Sequence, residues 1–572
     1  MNIQELISAA VQDVLKNLDL PAIGVELEHP ADISHGDYAS TIALKVAKQA
    51  CTHPRELAQR IVDEVKKNIP SWLERVEVAG PGFINFTLSS SFFASAIGEI
   101  DEQFGRNQKL AGKKAIVEYT DPNPFKELHI GHLMSNTVGE SLSRVIEWSG
   151  AETMRACYQG DVGMHVAKAI WGFRRLGEDT IPRDTDVSTQ VRYLGKAYAT
   201  GATAYEEGGE PEAQMKALNA AIYNRTDVEI NALYDWGRDV SLRYFETQYK
   251  ALGTFHDPEH NKAFNFYFFE SNVGVLGRQL VEEFLAKGVF EKSDNAVVFP
   301  GEKYGLHTRV FLNSQGLPTY EAKELGLAHV KYDTYPYDIS VVVTGNEIRE
   351  YFKVLMKALS LINPTLQEKT VHVPHGMLRL TTGKMSSRTG KVVTAESLIT
   401  SIREKVGQHE GRASDEATLN DIAVAAIKYA VLKQAAGKDI IFDAEQSVSF
   451  EGDSGPYLQY AYVRCQSILR KAAEQNLAPF TQLPEGWTTL ELERMLYQFP
   501  ELVEQALAEY SSHGIANYLI ALARTFSSWY GNTKIVDDKN PHTPYRLALV
   551  QATGQVIKNG LWLLGIKTPE KM

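Results

Sequence analysis

Several features that would classify a chain at once are missing or scarce here. Only three cysteines, Cys51, Cys157 and Cys465, occur in 572 residues. They are scattered and form neither a metal spacing nor a disulfide framework, which fits a reducing cytosol. No apolar run approaches the roughly 20 residues of a membrane helix, so no membrane partner is expected. The start, Met1-Asn2-Ile3-Gln4-Glu5-Leu6-Ile7, reads as an amphipathic helix with acidic residues. It lacks a basic opening, a long apolar stretch and a cleavage signal, so no export is expected. There is no internal repeat, no low-complexity tract and no G-x-x-x-x-G-K-[ST] segment, which excludes a P-loop nucleotide site. Positive charge is also short: 59 Lys and Arg face 71 Asp and Glu, for a net −12. That excludes adhesion to nucleic acid through bulk charge, but not recognition through a local basic patch or through shape.

What is present is enough apolar residue, 44%, to build large cores, in roughly three or four domains at this length. Residues 1–17 and 55–68 have helical periodicity. Arg75–Val78 and Phe83–Leu88 alternate like strands about Gly80-Pro81-Gly82, so residues 1–102 are expected to form a small α+β domain. Gln103–Lys113 is polar and reads as a linker. Strand and helix patterns then alternate through about residue 400, as in a Rossmann-type α/β domain over 113–400. A mostly helical stretch, about 172–303, is expected to be an insertion between two halves of its sheet. Such sheets bind ligands at the carboxyl ends of their strands. After the acidic segment Gln408–Asp421 the pattern is helical to the end, and an all-α bundle is expected over 420–572. The fold class is thus a multidomain α/β protein.

The strand-like run Ala115–Tyr119 and the turn Thr120-Asp121-Pro122-Asn123-Pro124 lead into His129-Ile130-Gly131-His132, with a helical pattern starting near Leu133. A helix N-terminus favours anions, imidazoles add hydrogen-bond donors, and Gly131 lets a flat ligand approach the backbone. Phosphate binding is one reading; a helix cap or half of a metal site is the other. A second cluster, Gly383-Lys384-Met385-Ser386-Ser387-Arg388-Thr389-Gly390-Lys391, mixes glycines, hydroxyls and cations. A mobile loop of this composition can close a lysine over a phosphate, and a solvated loop is the plain alternative.

Together the two clusters resemble the HIGH and KMSKS signatures of class I aminoacyl-tRNA synthetases, and nearly the whole chain resembles the arginyl-tRNA synthetases. The likeness is carried by Val117–Asn123 before the histidines, by Gly160-Asp161-Val162-Gly163, and by Gly455–Arg464 with its Gly-Pro-Tyr-Leu-Gln-Tyr-Ala-Tyr-Val-Arg sequence. Leu564–Met572 and, near the start, His35-Gly36-Asp37-Tyr38-Ala39 and Gly80–Phe86 extend it. The resemblance implies a ligase that activates L-arginine with ATP and Mg2+ and transfers it to the 3′ end of arginine tRNA. It implies a class I catalytic core, an N-terminal domain reading the tRNA elbow, and an anticodon-binding bundle. A cytoplasmic monomer that needs cognate tRNA even for activation is also implied.

By the same resemblance His129 and His132 bind the ATP phosphates, Gly131 lies under the adenine, and Lys384, Met385 and Ser386 belong to the closing loop. Ser387 stands where KMSKS has its second lysine. Arginyl enzymes lacking that lysine commonly carry one just before HIGH, and Lys126 stands there, so Lys126 is expected to supply the missing charge. Tyr320 and Glu324 resemble the Tyr-x-x-x-Asp element that receives the guanidinium, with glutamate in place of aspartate. Their i, i+4 spacing puts them on one helix face, and a carboxylate suits a guanidinium because the charge-assisted pair is strong and selective. Glu118 and Asn123 are expected to hold the substrate ammonium and carboxylate, with Asp161 and Asn346 as further pocket residues. For tRNA, Phe83 and Asn85, two apart on a strand, would read an unstacked base. Tyr457, Arg464, Tyr530 and Met572 would meet the anticodon loop, since aromatics and arginine stack on unpaired bases. A shorter nucleotidyltransferase sharing H-x-G-H, a silent synthetase-like protein and a class I synthetase for another amino acid are the competing readings. The helical C-terminal block, the intact His129, Gly131, His132 and Lys384, and the acidic Tyr320/Glu324 pair respectively count against them.

Overall fold

Ala115, Ile116 and Val117 are all buried, as a central strand covered on both faces requires. They lie in the strand Lys114–Glu118, at the middle of a five-stranded sheet in the computed structural model. The structure describes residues 3–177, 185–255, 257, 259–380, 393–408 and 415–572. Across the sheet the order is Thr370–His375, Ile339–Gly345, Lys114–Glu118, Glu152–Gln159, Phe266–Phe269, and every neighbouring pair is parallel. The chain starts at the centre, builds outward through Glu152–Gln159 and Phe266–Phe269, then returns to the other side. The direction reverses between Lys114–Glu118 and Ile339–Gly345. The crevice at their carboxyl ends is where such folds hold ligands.

Phe266–Phe269 falls inside the stretch expected to be an insertion. Four aromatic residues are too few to show a strand period, so the sheet's third strand was hidden among helices. The helices that do stand apart from the sheet are Met164–Leu176, Val187–Glu207, Glu210–Asn224 and Val228–Ala251. The first two cross at bare backbone: a Cβ on Gly172 would lie 2.0 Å from the Ala197 carbonyl oxygen, and one on Gly201 2.0 Å from that of Lys168.

The described chain divides into two units. One holds residues 1–104, 464–499 and 522–556. In it the strands Leu27–Glu28, Tyr38–Ser40, Phe83–Leu88 and Leu73–Ala79 make an antiparallel sheet in that order. The helices Ile3–Asn17 and Pro54–Lys67 contribute their buried faces to the same core. Ile84, Phe86 and Leu88 face this core. Phe83 and Asn85 lie on the other, half-buried face of their strand, as the period of two predicts. Asp37 accepts a bond from Leu88 N at 2.7 Å and pairs with Arg494.

The other unit holds residues 105–463, 500–521 and 557–572, and so the sheet with its helices. The segment after Leu561 is fastened to it by donors from far earlier in the chain. Ser141 Oγ donates to the Leu563 carbonyl at 2.8 Å and Arg144 Nη1 to that of Trp562 at 2.9 Å. Lys428 Nζ donates to the Gly565 carbonyl at 2.7 Å, and Gln459 Nε2 to that of Lys567 at 2.8 Å.

Candidate active site

The helix Ile130–Trp148 begins at Ile130, with His129 as its N-cap, three residues before the expected start near Leu133. The histidines themselves start it. His129 Nδ1 accepts from the backbone N–H of Gly131 (3.0 Å) and His132 (3.4 Å), while His132 Nδ1 accepts from the His129 N–H (3.3 Å). This is a capping box made from imidazoles. The rings stack with centroids 3.6 Å apart. A Cβ at position 131 would meet the His129 ring at 2.8 Å, so glycine is needed for the ring to fold back. Burial, then the neighbouring Lys126 charge, lowers the His129 pKa to about 4. Burial first, then His129, Lys126 and His375, holds His132 well below its ordinary value. Both rings are therefore neutral, and each Nδ1 is an acceptor. The proton of each must sit on Nε2. The cap reading and the phosphate reading are thus compatible: one edge of each ring starts the helix and the other carries a donor.

The loop between strand and helix is strained. Thr120, Asp121 and Phe125 have φ of 80°, 46° and 67°, which L-residues seldom adopt and which clusters at functional sites. It is pinned by Thr120 N donating to Ser135 Oγ (2.9 Å), Phe125 N to Ser241 Oγ (2.9 Å) and Tyr158 N to Asp121 Oδ1 (2.7 Å). Lys126 follows in this loop, half-buried, with its ammonium 4.0 Å from the centre of the Tyr198 ring. Burial, then repulsion from Lys168, lowers its pKa to about 8.

A buried group of carboxylates surrounds the carboxyl end of the first strand. Glu118 pairs with Lys331 at 2.6 Å, and Glu270 with Lys323 at 2.6 Å; all four side chains are buried. Asp121 and Glu324 have no ion-pair partner among the described residues. Burial, then the Glu118 charge, raises Asp121 well above its ordinary value and Glu324 to about 8. Four carboxyls with two lysines leave a deficit of positive charge. A guanidinium would supply it.

Glu324 stands on the helix Tyr320–Thr334, one turn after Tyr320, its first residue. Tyr320 is 61% exposed, and the Lys323 ammonium lies 5.3 Å from its ring centre. Asn123 Oδ1 faces Gly160, where a Cβ would approach it to 2.3 Å, and Glu270 Oε1 lies against the same spot at 3.4 Å. Asp161, by contrast, is fully engaged. It accepts from Ser271 N and Oγ (2.9 and 2.7 Å), Tyr234 OH (2.9 Å) and Arg238 Nε (3.0 Å). Such a carboxylate braces the wall behind the pocket and has little left for a ligand. Asn346 begins the turn after Ile339–Gly345 and donates to the Gly437 carbonyl at 3.4 Å. Glu270, Lys323, Lys331 and Asp121 were not singled out from sequence. The Lys384, Met385 and Ser386 loop lies outside the described residues.

Among the tRNA candidates, Arg464 donates to Ser527 Oγ at 3.4 Å and lies 5.5 Å from the Tyr530 ring centre, with Tyr530 40% exposed. Tyr457 is 8% exposed. Met572 is half-buried against the core shared by the sheet and its helices.

The geometry agrees with what the chain is similar to. Residues 1–88 match the arginyl tRNA synthetase N-terminal domain, 97–444 the catalytic domain of class I (R) tRNA synthetases, and 458–572 the DALR anticodon binding domain. An arginine–tRNA ligase of Phocaeicola vulgatus is 29% identical over 616 residues, and one of Limosilactobacillus reuteri 30% over 585, each alignment covering 100% of both chains. The arginyl-tRNA synthetase of Thermus thermophilus has the same fold (TM-score 0.80, 23% identity, 100% of both chains covered). That of Plasmodium falciparum does too (TM-score 0.75, 20% identity, 100% of this chain and 99% of that one). With the catalytic model spanning most of the chain and the paired imidazoles standing beside a cation-seeking acidic pocket, this chain belongs to the arginyl-tRNA synthetases of class I.

Proposed function

We propose that this chain joins L-arginine to arginine tRNA at the expense of ATP, using the crevice between the histidine helix and the acidic pocket. The observation that carries the amino-acid choice is the pair of half-buried carboxyls, Asp121 and Glu324, that has no ion-pair partner among the described residues. A guanidinium is the side chain that fits, because it stays charged when buried and offers a planar set of donors. Tyr320 and Glu324 receive it, and Asn123, with Glu270 beside it, faces the α-amino acid end. A substrate carboxylate oxygen attacks the α-phosphorus of ATP, forming arginyl-adenylate as the bond to pyrophosphate breaks. The terminal ribose hydroxyl of the tRNA then attacks the arginyl carbonyl, and AMP leaves. No side chain of the protein forms a bond. Rate comes from positioning and from charge stabilisation. The Nε2–H donors of His129 and His132 and the Lys126 ammonium meet the phosphate oxygens, with the Lys384 loop closing over them.

Mg2+ is expected to arrive on the nucleotide. Three working parts are proposed: 1–102 for the tRNA elbow through Phe83 and Asn85, 113–400 for chemistry, and 420–572 for the anticodon through Arg464 and Tyr530. No helix among the described residues is long and apolar enough to cross a membrane. A cytoplasmic monomer is the proposed working form. Arginine-dependent ATP–pyrophosphate exchange, run with and without arginine tRNA, tests the proposal. Exchange driven by another amino acid, or none under either condition, overturns it.

A further inference from the structure

Lysine is a flexible four-carbon stem, and a phosphate-binding lysine must be held without spending the donors it needs for phosphate. Lys126 has no carboxylate within ion-pair distance among the described residues. What it has is a ring: its ammonium lies 4.0 Å from the centre of Tyr198. Tyr198 sits in the middle of the helix Val187–Glu207. That helix is locked to Met164–Leu176 through the backbone approach at Gly172 and Gly201. Seven residues on, two turns along the same face, Tyr205 carries the Lys168 ammonium at 4.0 Å in the same way. An aromatic face attracts an ammonium through its quadrupole and takes none of its N–H groups with an acceptor atom.

We propose that Tyr198 is a positioning residue for the activation step, its ring holding the Lys126 ammonium beside the histidine pair with its donors left for phosphate oxygens. The proposal rests on the reading that Lys126 serves phosphate. The charged and titratable groups facing Lys126 are Lys168, His129, His132 and His165, and no acid among them could do what the ring does. The helical segment thereby takes part in the chemistry at the carboxyl ends of the sheet.

The test is ATP–pyrophosphate exchange with saturating arginine tRNA in Tyr198→Leu, Tyr198→Phe, Lys126→Met and the double variant Tyr198→Leu/Lys126→Met. Tyr198→Leu should lower kcat about three- to thirtyfold, the span of a partly desolvated cation–π contact. Tyr198→Phe should restore it, because the ring and not the hydroxyl is used. In the Lys126→Met background, Tyr198→Leu should add nothing. Tyr205→Leu removes a ring from the same helix face and should leave kcat near its starting value, separating positioning from loss of helix packing. Full activity in Lys126→Met would overturn the reading of Lys126 and this proposal with it. Loss in Lys126→Met with none in Tyr198→Leu overturns this proposal alone. Independent, multiplying losses in the double variant overturn it as well.

Discussion

At Glu324 a half-buried carboxyl keeps its proton until about pH 8, chiefly through loss of solvent and then the Glu118 charge. Between its ordinary value and that one, the empty folded protein holds a proton that the unfolded chain has released. The contribution to stability is therefore present at low pH and fades as pH rises through this window. Arginine binding runs the other way, because a guanidinium needs the carboxylate and must expel the proton. The KM for arginine should fall up to tenfold per pH unit between about 6.5 and 8 and flatten above. Glu324→Gln should raise the arginine KM and remove that slope, with the ATP KM near its starting value; a slope that survives the substitution removes Glu324 from the pocket. Lys126, with its pKa lowered to about 8, loses charge above that value in the free protein, so kcat/KM for ATP should decline as pH rises past it. Lys126→Met, already neutral, should show no such decline. The histidines, Lys126, Tyr320 and Glu324 could be named from the sequence because each lies in or beside a short motif that resembles one of the arginyl-tRNA synthetases. Lys331 could not, since it meets Glu118 across 213 residues, and no local pattern announces a buried ion pair that only the fold creates. Imidazole holds an acceptor and a donor on opposite edges of one rigid plane; asparagine and glutamine carry both at one end.

Among the elements, the crossing of Met164–Leu176 with Val187–Glu207 leaves no room for a side chain at its two glycines. Gly201→Ala would drive a methyl into the Lys168 carbonyl oxygen, 2.0 Å away. Backbone cannot yield as a side chain does, so the helices must spread, at about 1–3 kcal/mol for an overpacked contact. Calorimetry should show a lower Tm, and exchange activity should fall with it as the helix carrying Tyr198 shifts. An unaltered Tm would show that the crossing can relax without cost. Helices were well marked in the sequence because their period runs over many residues. Phe83–Leu88 was read at its observed limits, since alternation over six residues beside a Gly-Pro-Gly turn is unambiguous. Phe266–Phe269 was missed because four aromatic residues in a row have no period. The start of Ile130–Trp148 was placed late because histidine is seldom its own helix cap.

For the whole molecule, the segment after Leu561 is part of the catalytic unit. Arg144, Ser141, Lys428 and Gln459 all donate to its carbonyls. Lys428 is fully buried, and burial lowers its pKa to about 7, so it can donate as a neutral amine. A chain stopped at Leu561 would take the acceptors of Arg144 Nη1 and Lys428 Nζ away, while Ser141 Oγ keeps Ser512 Oγ and Gln459 Nε2 keeps the Asp421 carbonyl, at about 1–3 kcal/mol for each donor left buried and unmet. Such a chain should lose ATP–pyrophosphate exchange and show an earlier thermal transition by circular dichroism. Retained exchange at the original transition temperature would mean the fastening is incidental. Ser141 and Leu563 are 422 residues apart, and this sets the order of events during synthesis. Domains usually fold as they leave the ribosome, first part first. Here the helix that begins with the histidine pair must wait for the Leu563 and Trp562 carbonyls, the acceptors of Ser141 Oγ and Arg144 Nη1, until residues beyond Leu561 have emerged. A protein of the class that charges tRNA for translation closes its own catalytic unit only once its own translation has passed Leu561.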